Sequence, residues 1–302
     1  MVGWQNGSEP IFFVAIAAAQ PMHCPMRVNG HWLHDLDPYL VHFPSSWPVR
    51  GIFWYGLTYV IAFFAAAMLA HSYAARGRLP FPRQHIDNWL GALCFGVVIG
   101  GRLGYLVLYD RATLVHRPWE IVCLWHGGMA SHGGFVGVAI ALFLLSRSRN
   151  IPLLPMLDFS ASVAPLGICL GRIGNFINGE VYGRPTTLPW GVIFPRSAPF
   201  PDFPTALLTP RHPSQLYEAF LEGLLLFALI QWRQWKMRRS AMPGQLSGEF
   251  LIAYALLRVL CECFREPDAP LILCLTAGQF YSIVLCVAGV VLLGRRGERS
   301  TG

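Results

Sequence analysis

Residues 171–185 read GRIGNFINGEVYGRP, and they follow directly on the apolar run FSASVAPLGICL at positions 159–170. Polar groups at the edge of a membrane span are costly unless they have a function or partners. The glycines of this stretch let the backbone approach a ligand closely. Arg172 is the strongest single candidate, because a planar guanidinium can hold a phosphate through two parallel hydrogen bonds. The stretch therefore predicts a membrane helix that ends in an anion-binding site.

Composition supports a membrane protein. The 302 residues are 54% hydrophobic and 13% charged, and the mean hydropathy is +0.44. A soluble domain has about 25% charged residues, so this chain has too little polar surface to cover a soluble globule. The net charge of +7 does not indicate a nucleic-acid partner, because the basic residues form short clusters between apolar runs, where they act as topology signals.

Apolar runs predict about seven transmembrane helices, since a span needs roughly 20 residues. The fold class is therefore an all-α polytopic membrane protein with a seven-helix domain over 49–302, preceded by a periplasmic or interfacial segment over 1–48. The loop 181–216 is rich in proline and aromatic residues and is expected to form a small periplasmic cap. The runs are 52–70, 89–109, 128–145, 157–170, 216–232, 250–264 and 271–293.

The basic clusters predict the orientation in the membrane. They follow the first, third, fifth and seventh runs, which places the N-terminus outside and the C-terminus in the cytoplasm. The run 11–19 is too short to span the membrane, and an interfacial segment is favoured there over a signal peptide. The clusters are Arg76, Arg78 and Arg83; Arg147 and Arg149; Arg233, Lys236, Arg238 and Arg239; and Arg295, Arg296 and Arg299.

Five further motifs accompany the opening stretch. They are WYG at 54–56, GGR at 100–102, HGGMASHGG at 126–134, RHPSQLYE at 211–218 and FREPD at 264–268. In this order the six motifs resemble the bacterial prolipoprotein diacylglyceryl transferase family, and the resemblance runs from about residue 37 to the C-terminal end. The chain departs from the commoner family pattern at His126, where an acidic residue is usual, and at Ser131, where a bulky apolar residue is usual.

The resemblance implies an enzyme of the bacterial inner membrane. Its reaction would move the diacylglyceryl group of phosphatidylglycerol to the lipobox cysteine thiol of a preprolipoprotein, forming a thioether and releasing glycerol phosphate. Membrane lipid and the signal peptide of the acceptor would be its partners, no cofactor would be needed, and we expect a monomer. No cysteine or histidine spacing fits a zinc site.

Four residues are candidates for catalysis: His132, Arg172, Arg258 and Glu262. A neutral imidazole at position 132 can accept a proton near pH 7, although a structural, hydrogen-bonded histidine is the alternative. Arg258 and Glu262 are four residues apart and so share a helix face. They are either part of an active cavity, as the resemblance implies, or a structural ion pair.

The expected substrate-binding residues are Arg172, Asn175, Asn178, Glu180, Gly183, Tyr55, Tyr254 and Arg265. Each has a plainer interpretation: Asn175 could cap a helix, Glu180 could orient Arg172, and the tyrosines could anchor the membrane interface. Arg172 could itself be paired with Asp158 or Glu180.

Other interpretations remain open at this level. Arg102 in the second run could pair with Asp158 or Glu218 or contact lipid. Glu218 and Glu222 share one face of the fifth run. A transporter or a non-catalytic lipid-binding factor would also explain charged residues within membrane helices.

Overall fold

The computed structural model describes residues 27–44, 46–47, 49–123, 128–198, 207–236, 242–267 and 274–294, and gives only the backbone at 131 and 132. The apolar run 11–19 and position 126 lie outside the described residues, so the expectations about them stay predictions. The same holds for the basic cluster at 295–299.

Helices make up most of the described chain. Each predicted apolar run overlaps a helix in its described part, and a π-helical turn, Ala219–Leu225, joins the sixth helix to the seventh. The α-helices are α1 (Trp54–Ala75), α2 (Ile86–Leu108), α3 (Arg111–His116), α4 (Ser131–Arg149), α5 (Leu153–Ile177), α6 (Ser214–Glu218), α7 (Leu226–Lys236), α8 (Gln245–Glu262) and α9 (Ala277–Gly294).

Four helical segments of the described chain are long and apolar enough to cross a membrane: Trp54–Ala75, Arg83–Leu108, Leu153–Ile177 and Ala277–Gly294. The fold is therefore that of a mostly helical membrane protein. The prediction of seven spans goes beyond this result, because the other helices are shorter, interrupted or less apolar.

Helix α5 is the central helix. It packs against α1, α4, α6, the π turn, α7 and α8. Its most apolar window is 44% buried, against 17–22% for the other three candidate spans, whose side chains face outward. Because α5 touches so many neighbours, its C-terminal turns can bring residues from several helices together.

A stripe of glycines lets α2 and α4 pack closely. Gly96, Gly100 and Gly104 lie along α2, and Gly133 and Gly137 face them from α4. A Cβ atom on Gly100 would lie 2.4 Å from the carbonyl oxygen of Gly133, so no other residue fits. Small residues at this spacing are typical of close membrane-helix contacts. The contact fixes the first turn of α4, which carries position 132.

The all-α prediction needs a correction, because the N-terminal segment 27–53 and the loop 181–216, which together we call the cap from here on, form short strands. These are β1 (Arg27–Val28), β2 (His31–Leu33), β3 (Tyr39–His42), β4 (Gly51–Phe53) and β5 (Val192–Ile193). Asn29 and Gly30 have positive φ and close the β1–β2 hairpin, as Asn-Gly does in two-residue turns. Strand β2 then pairs in parallel with β5, which joins the N-terminal segment to the loop 181–216.

The cap and several basic residues lie at opposite ends of the helices. Arg78 donates to the carbonyl oxygen of Trp235 and lies 4.5 Å from the centre of its ring, so the C-terminal ends of α1 and α7 meet. The cap lies beyond the N-terminal end of α1, where Trp54 donates its backbone N–H to Pro38. Basic residues such as Arg76 and Arg78 therefore lie at the end of the helices opposite to the cap.

Candidate active site

Three arginines and three glutamates converge where α5, α6, the π turn and α8 meet near the cap. Arg172 is in the last two turns of α5, and Glu218 is the last residue of α6. Arg258 and Glu262 lie one above the other in α8. Glu222 in the π turn and Arg265 just beyond α8 complete the set, which we call the ion cluster.

Glu218 is the centre of the ion cluster. Its Oε1 accepts from Nη1 of Arg258 at 2.9 Å and from Nη1 of Arg265 at 3.3 Å. Its Oε2 lies 2.8 Å from Nε of Arg172, a close ionic contact without hydrogen-bond alignment. One carboxylate therefore holds three guanidinium groups from three parts of the chain.

Arg258 makes the remaining links. Its Nη1 also donates to Oε1 of Glu222 at 3.3 Å, and its Nη2 lies 3.0 Å from Oε2 of Glu262, as the spacing of four residues predicts. Glu222 is also 3.7 Å from Nη2 of Arg172. The π turn is an irregularity often found at functional sites, and here it contains Glu222 next to Glu218.

Burial within the ion cluster is uneven. The side chains of Glu218 and Glu222 are fully buried and that of Glu262 is 4% exposed, whereas Arg172 is 15% exposed and Arg265 10%. The Oε2 atoms of all three glutamates lack a hydrogen-bond donor among the described residues. Arg172 and Arg265 are thus more exposed than the glutamates, an arrangement that suits an anionic ligand although the formal charges of the cluster balance.

An amide pair lies beside the ion cluster at the end of α5. The Nδ2 atoms of Asn175 and Asn178 donate to Oε1 of Glu180 at 3.0 and 3.2 Å. Gln215, next to the start of α6, donates to the backbone carbonyl of Glu180 at 2.7 Å. Glu180 is thus held by amides, where the sequence suggested Arg172 as its partner, and Oδ1 of Asn178 is buried without a donor among the described residues.

The amino-acid sequence that forms this site matches a known protein family. The family model described as prolipoprotein diacylglyceryl transferase matches residues 39–295. The chain belongs to this family.

Named relatives agree with the family match. The phosphatidylglycerol–prolipoprotein diacylglyceryl transferase of Rhodospirillum rubrum is 43% identical over 264 residues, covering 85% of this chain and 91% of the relative. The protein of that name from Nitrosomonas europaea is also 43% identical, over 80% of this chain and 84% of its own length. That from Bordetella avium is 40% identical over 87% and 99%.

The tyrosines of this family member occupy different surroundings. Tyr254 is buried in α8 one turn before Arg258, stacks on Phe250 and meets Phe135 of α4 edge-on. Tyr55 at the start of α1 shares a 3.1 Å hydrogen bond with Tyr59 and packs against α5 at Gly174. Tyr254 therefore shares a helix with Arg258, and Tyr55 lies at the interface between α1 and α5.

Gly183 is explained by packing. It forms an isolated antiparallel bridge with Arg265, and a Cβ there would lie 2.5 Å from the carbonyl oxygen of Phe264. Its position lets the loop 181–216 lie directly against the segment that carries Arg265. Position 132 lies in the first turn of α4. The structure describes only its backbone, so the role of His132 stays a prediction.

Arg102 and Arg172 have partners other than those that the sequence suggested. Arg102 pairs with Glu120 at 3.4 Å and donates to the backbone carbonyls of Glu120 and Gly128, so it secures the segment after α2. Asp158 accepts the backbone N–H groups of Gly244 and Ser247 at 2.7 Å and caps α8. Local backbone donors satisfy it, and Arg172 has its ion pairs elsewhere.

Sequence reasoning did not include Glu218, Glu222 or His34 in the site. Two carboxylates four apart within an apolar run were the available signal for the glutamates. His34 follows β2 and donates Nε2–H to the carbonyl oxygen of Phe176 at 2.6 Å, so it fastens the cap to α5. Burial lowers the pKa of His34 below its usual 6.5. Among the described residues, no group of three His, Cys, Asp or Glu side chains is placed to hold a metal ion.

Proposed function

We propose that the protein transfers the diacylglyceryl group of phosphatidylglycerol to the lipobox cysteine of preprolipoproteins, as the names of its relatives indicate for them. The products would be a thioether-linked lipoprotein precursor and glycerol phosphate. One observation carries this proposal from the structure: the side chains of Arg172 and Arg265 are more exposed than the carboxylates with which they pair in the ion cluster.

That arrangement suits a phosphodiester. Arginine offers five N–H donors in a planar fork, and Arg172 directs Nε and Nη2 to glutamates, so its partly exposed side can still donate. The head group would enter over Arg172 and Arg265. The buried glutamates would hold the guanidinium groups in position in the absence of substrate.

The chemical step uses charge stabilisation and one proton transfer. The acceptor thiol loses its proton, and the thiolate attacks the carbon of the diacylglyceryl group that is bonded to the phosphate oxygen. This carbon–oxygen bond breaks, and its electron pair goes to the oxygen of the departing glycerol phosphate. Fixed donors directed at developing charge are often the largest catalytic contribution, and this is the role of Arg172 and Arg258. A thiol with a pKa near about 8.5 needs a base, and His132 is our candidate.

Other polar residues would position the substrates. Asn175, Asn178 and Glu180 form a network of amides and carboxylate that can bind glycerol hydroxyls or a peptide group. Tyr254 would support the head group beside Arg258, and Tyr55 the acyl chains. Glu262 would orient Arg258 through their 3.0 Å contact.

We further propose that the protein is a monomer of the bacterial inner membrane with seven spans. The cap and the N-terminus would face the periplasm, where the acceptor cysteine is presented, and the C-terminus would be cytoplasmic. The basic residues near Trp235 at the opposite end support this orientation.

The decisive experiment compares Arg172→Ala with wild type. Purified protein in detergent would receive phosphatidylglycerol and a lipobox peptide, and glycerol phosphate release would be measured. We expect Arg172→Ala to lose about 100-fold or more of the rate, the loss typical when an anion-stabilising donor is removed. Arg233→Ala, a change at a distant ion pair, is the control and should stay active. No release by folded wild type would contradict the proposal and favour lipid binding or transport.

The base assignment has its own test. His132→Gln keeps a polar side chain but cannot accept a proton, so we expect a large loss of rate at pH 7 and a partial recovery at high pH, where the thiolate forms without help. Full activity of His132→Gln at pH 7 would exclude His132 as the base and leave the rest of the proposal intact.

A further inference from the structure

A cleft on the outer side of the cap lies against the wall of the ion cluster. Its volume is about 370 Å³, within the range of cavities that bind ligands. The cleft is lined by Gly179, Glu180, Tyr182, Arg196, Glu266 and Pro267. All of these residues belong to the segment between α5 and α6 or to the segment after α8, so the cleft lies at the cap end of the helices.

One layer of chain separates the cleft from the ion cluster. Arg265 sends its side chain inward to Glu218, and the next residue, Glu266, lines the cleft. Glu180 also belongs to both sides, because Asn175 and Asn178 hold its carboxylate from the end of α5. The two regions therefore share a wall.

The cleft has a fixed and mixed polar lining. Arg211, which does not itself line the cleft, holds two residues that do: it forms an ion pair with Glu266 and lies 4.9 Å from the ring centre of Tyr182. Tyr182 also stacks on Phe194. Tyr182 donates its hydroxyl hydrogen to the carbonyl oxygen of Arg196 at 3.3 Å. This lining suits the alternating N–H and C=O groups of an extended peptide. The carboxylates of Glu180 and Glu266 can accept from N–H groups, the guanidinium of Arg196 can donate to carbonyl groups, and Tyr182 offers a flat aromatic surface.

The backbone of the wall is unusual at Val181. Its φ of 60° is a conformation that β-branched residues rarely adopt, and its carbonyl oxygen accepts from the hydroxyl of Ser214 at 3.2 Å. Such outliers persist where the surrounding structure holds them and often occur at binding sites. The backbone conformation of Val181 thus supports a binding role for the cleft, in addition to the side chains that line it.

We infer that this cleft binds the residues that follow the modified cysteine in the acceptor chain. The inference rests on the proposed function. The signal peptide before the cysteine lies in the bilayer, the thiol must reach the ion cluster, and the chain beyond it must leave towards water. A strand advances about 3.3 Å per residue, and the wall is one layer of chain, so a few residues would suffice to pass from the ion cluster to the cleft.

The experiment compares two acceptor peptides with the full-length enzyme. One ends at the cysteine as an amide, and the other continues for four neutral residues. We expect the longer peptide to have a KM about tenfold lower, the effect of one added hydrogen bond to a charged group. Arg196→Glu should remove this advantage and leave kcat and KM for the short peptide unchanged, because Arg196 is exposed and outside the ion cluster. Arg50→Glu, an exposed change that does not line the cleft, is the matched control.

The outcomes separate this inference from the proposed function. Equal KM values in wild type, or an advantage that survives Arg196→Glu, would overturn the inference while turnover confirms the function. An equal loss of kcat for both peptides in Arg196→Glu would instead assign the cleft to release of glycerol phosphate. If neither peptide reacts, a photoreactive group on the third added residue gives a second readout. Crosslinks at 179–182 or 266–267 would support the cleft as a peptide site, and crosslinks elsewhere would overturn it.

Discussion

Two sets of arginine and glutamate occupy opposite ends of this protein and differ in almost every physical respect. Near the basic end, Arg233 binds Glu249 through two parallel hydrogen bonds, Nε to Oε2 at 2.8 Å and Nη2 to Oε1 at 2.5 Å. Their side chains are 34% and 24% exposed. In the ion cluster the carboxylates are buried, and each has an oxygen without a hydrogen-bond donor among the described residues.

The difference indicates what each set is for. The Arg233–Glu249 pair has the geometry of a satisfied ion pair that joins α7 to α8. The ion cluster carries the desolvation penalty of three buried carboxylates, and one oxygen of each has an ionic contact without hydrogen-bond geometry, which is a poor way to stabilise a fold. Buried polar groups with incomplete hydrogen bonding are expected at functional sites.

The largest contrast should appear when one carboxylate is neutralised in each set. Glu218→Gln leaves three arginines around an uncharged amide, and breaking a buried ion pair costs about 3–5 kcal/mol. Glu249→Gln affects a partly exposed pair and should cost under about 1 kcal/mol. Thermal unfolding in detergent, followed by tryptophan fluorescence, measures both variants.

At about 2–4 °C per kcal/mol for a protein of this size, the midpoint for Glu218→Gln should fall by roughly 10 °C, and that for Glu249→Gln by only a few degrees. Similar shifts in the two variants would mean that neutralising a carboxylate destabilises the protein equally in the ion cluster and in the Arg233–Glu249 pair. The contrast drawn between the two sets would then be wrong.

A charge-conserving change tests the comparison through activity. Arg258→Lys keeps the positive charge but replaces the planar fork with a compact ammonium, which cannot meet Glu218, Glu222 and Glu262 in the same geometry. We expect the rate of glycerol phosphate release to fall about tenfold or more.

Arg233→Lys is the matched change at the other end, and we expect it to stay within about twofold of wild type, because that pair is far from the proposed chemistry. If Arg258→Lys retained wild-type turnover, a positive charge alone would suffice, and the fork geometry would have no catalytic role.

The sequence predicted the helices better than the contacts between them. Apolar runs located each membrane helix, because hydrophobicity is a local property, and the spacing of four residues predicted the Arg258–Glu262 pair. The partner of Arg172 could not be read, because Glu218 is 46 positions away in the chain and their contact depends on how α5 meets α6. The error about Arg102 has the same cause.

The strands of the cap were missed for a different reason. Asn29-Gly30 is a recognisable hairpin signal, but the strands around it have only two or three residues, too few for an alternating pattern. The parallel pairing of β2 with β5 joins positions about 160 residues apart. The role of His34 follows from that pairing, so no pattern around position 34 could have indicated it.

His34 sharpens the comparison by showing a buried polar group that is neutral. Because burial lowers its pKa below 6.5, the unfolded chain takes up a proton at this position before the folded protein does. Its contribution to stability is therefore complete above about pH 6.5 and declines as the pH falls, by at most about 1.4 kcal/mol per pH unit. The midpoint of unfolding of wild type should accordingly be lower at pH 5 than at pH 7.

The variant His34→Gln tests this argument, because its amide can still donate to Phe176 but does not titrate. The decline in the midpoint between pH 7 and pH 5 should therefore be smaller than in wild type. His71→Gln, at an exposed position on α1, is the control and should behave as wild type. An unchanged decline in His34→Gln would assign the acid sensitivity to other groups. The anchoring of the cap to α5 would then be independent of pH across this range.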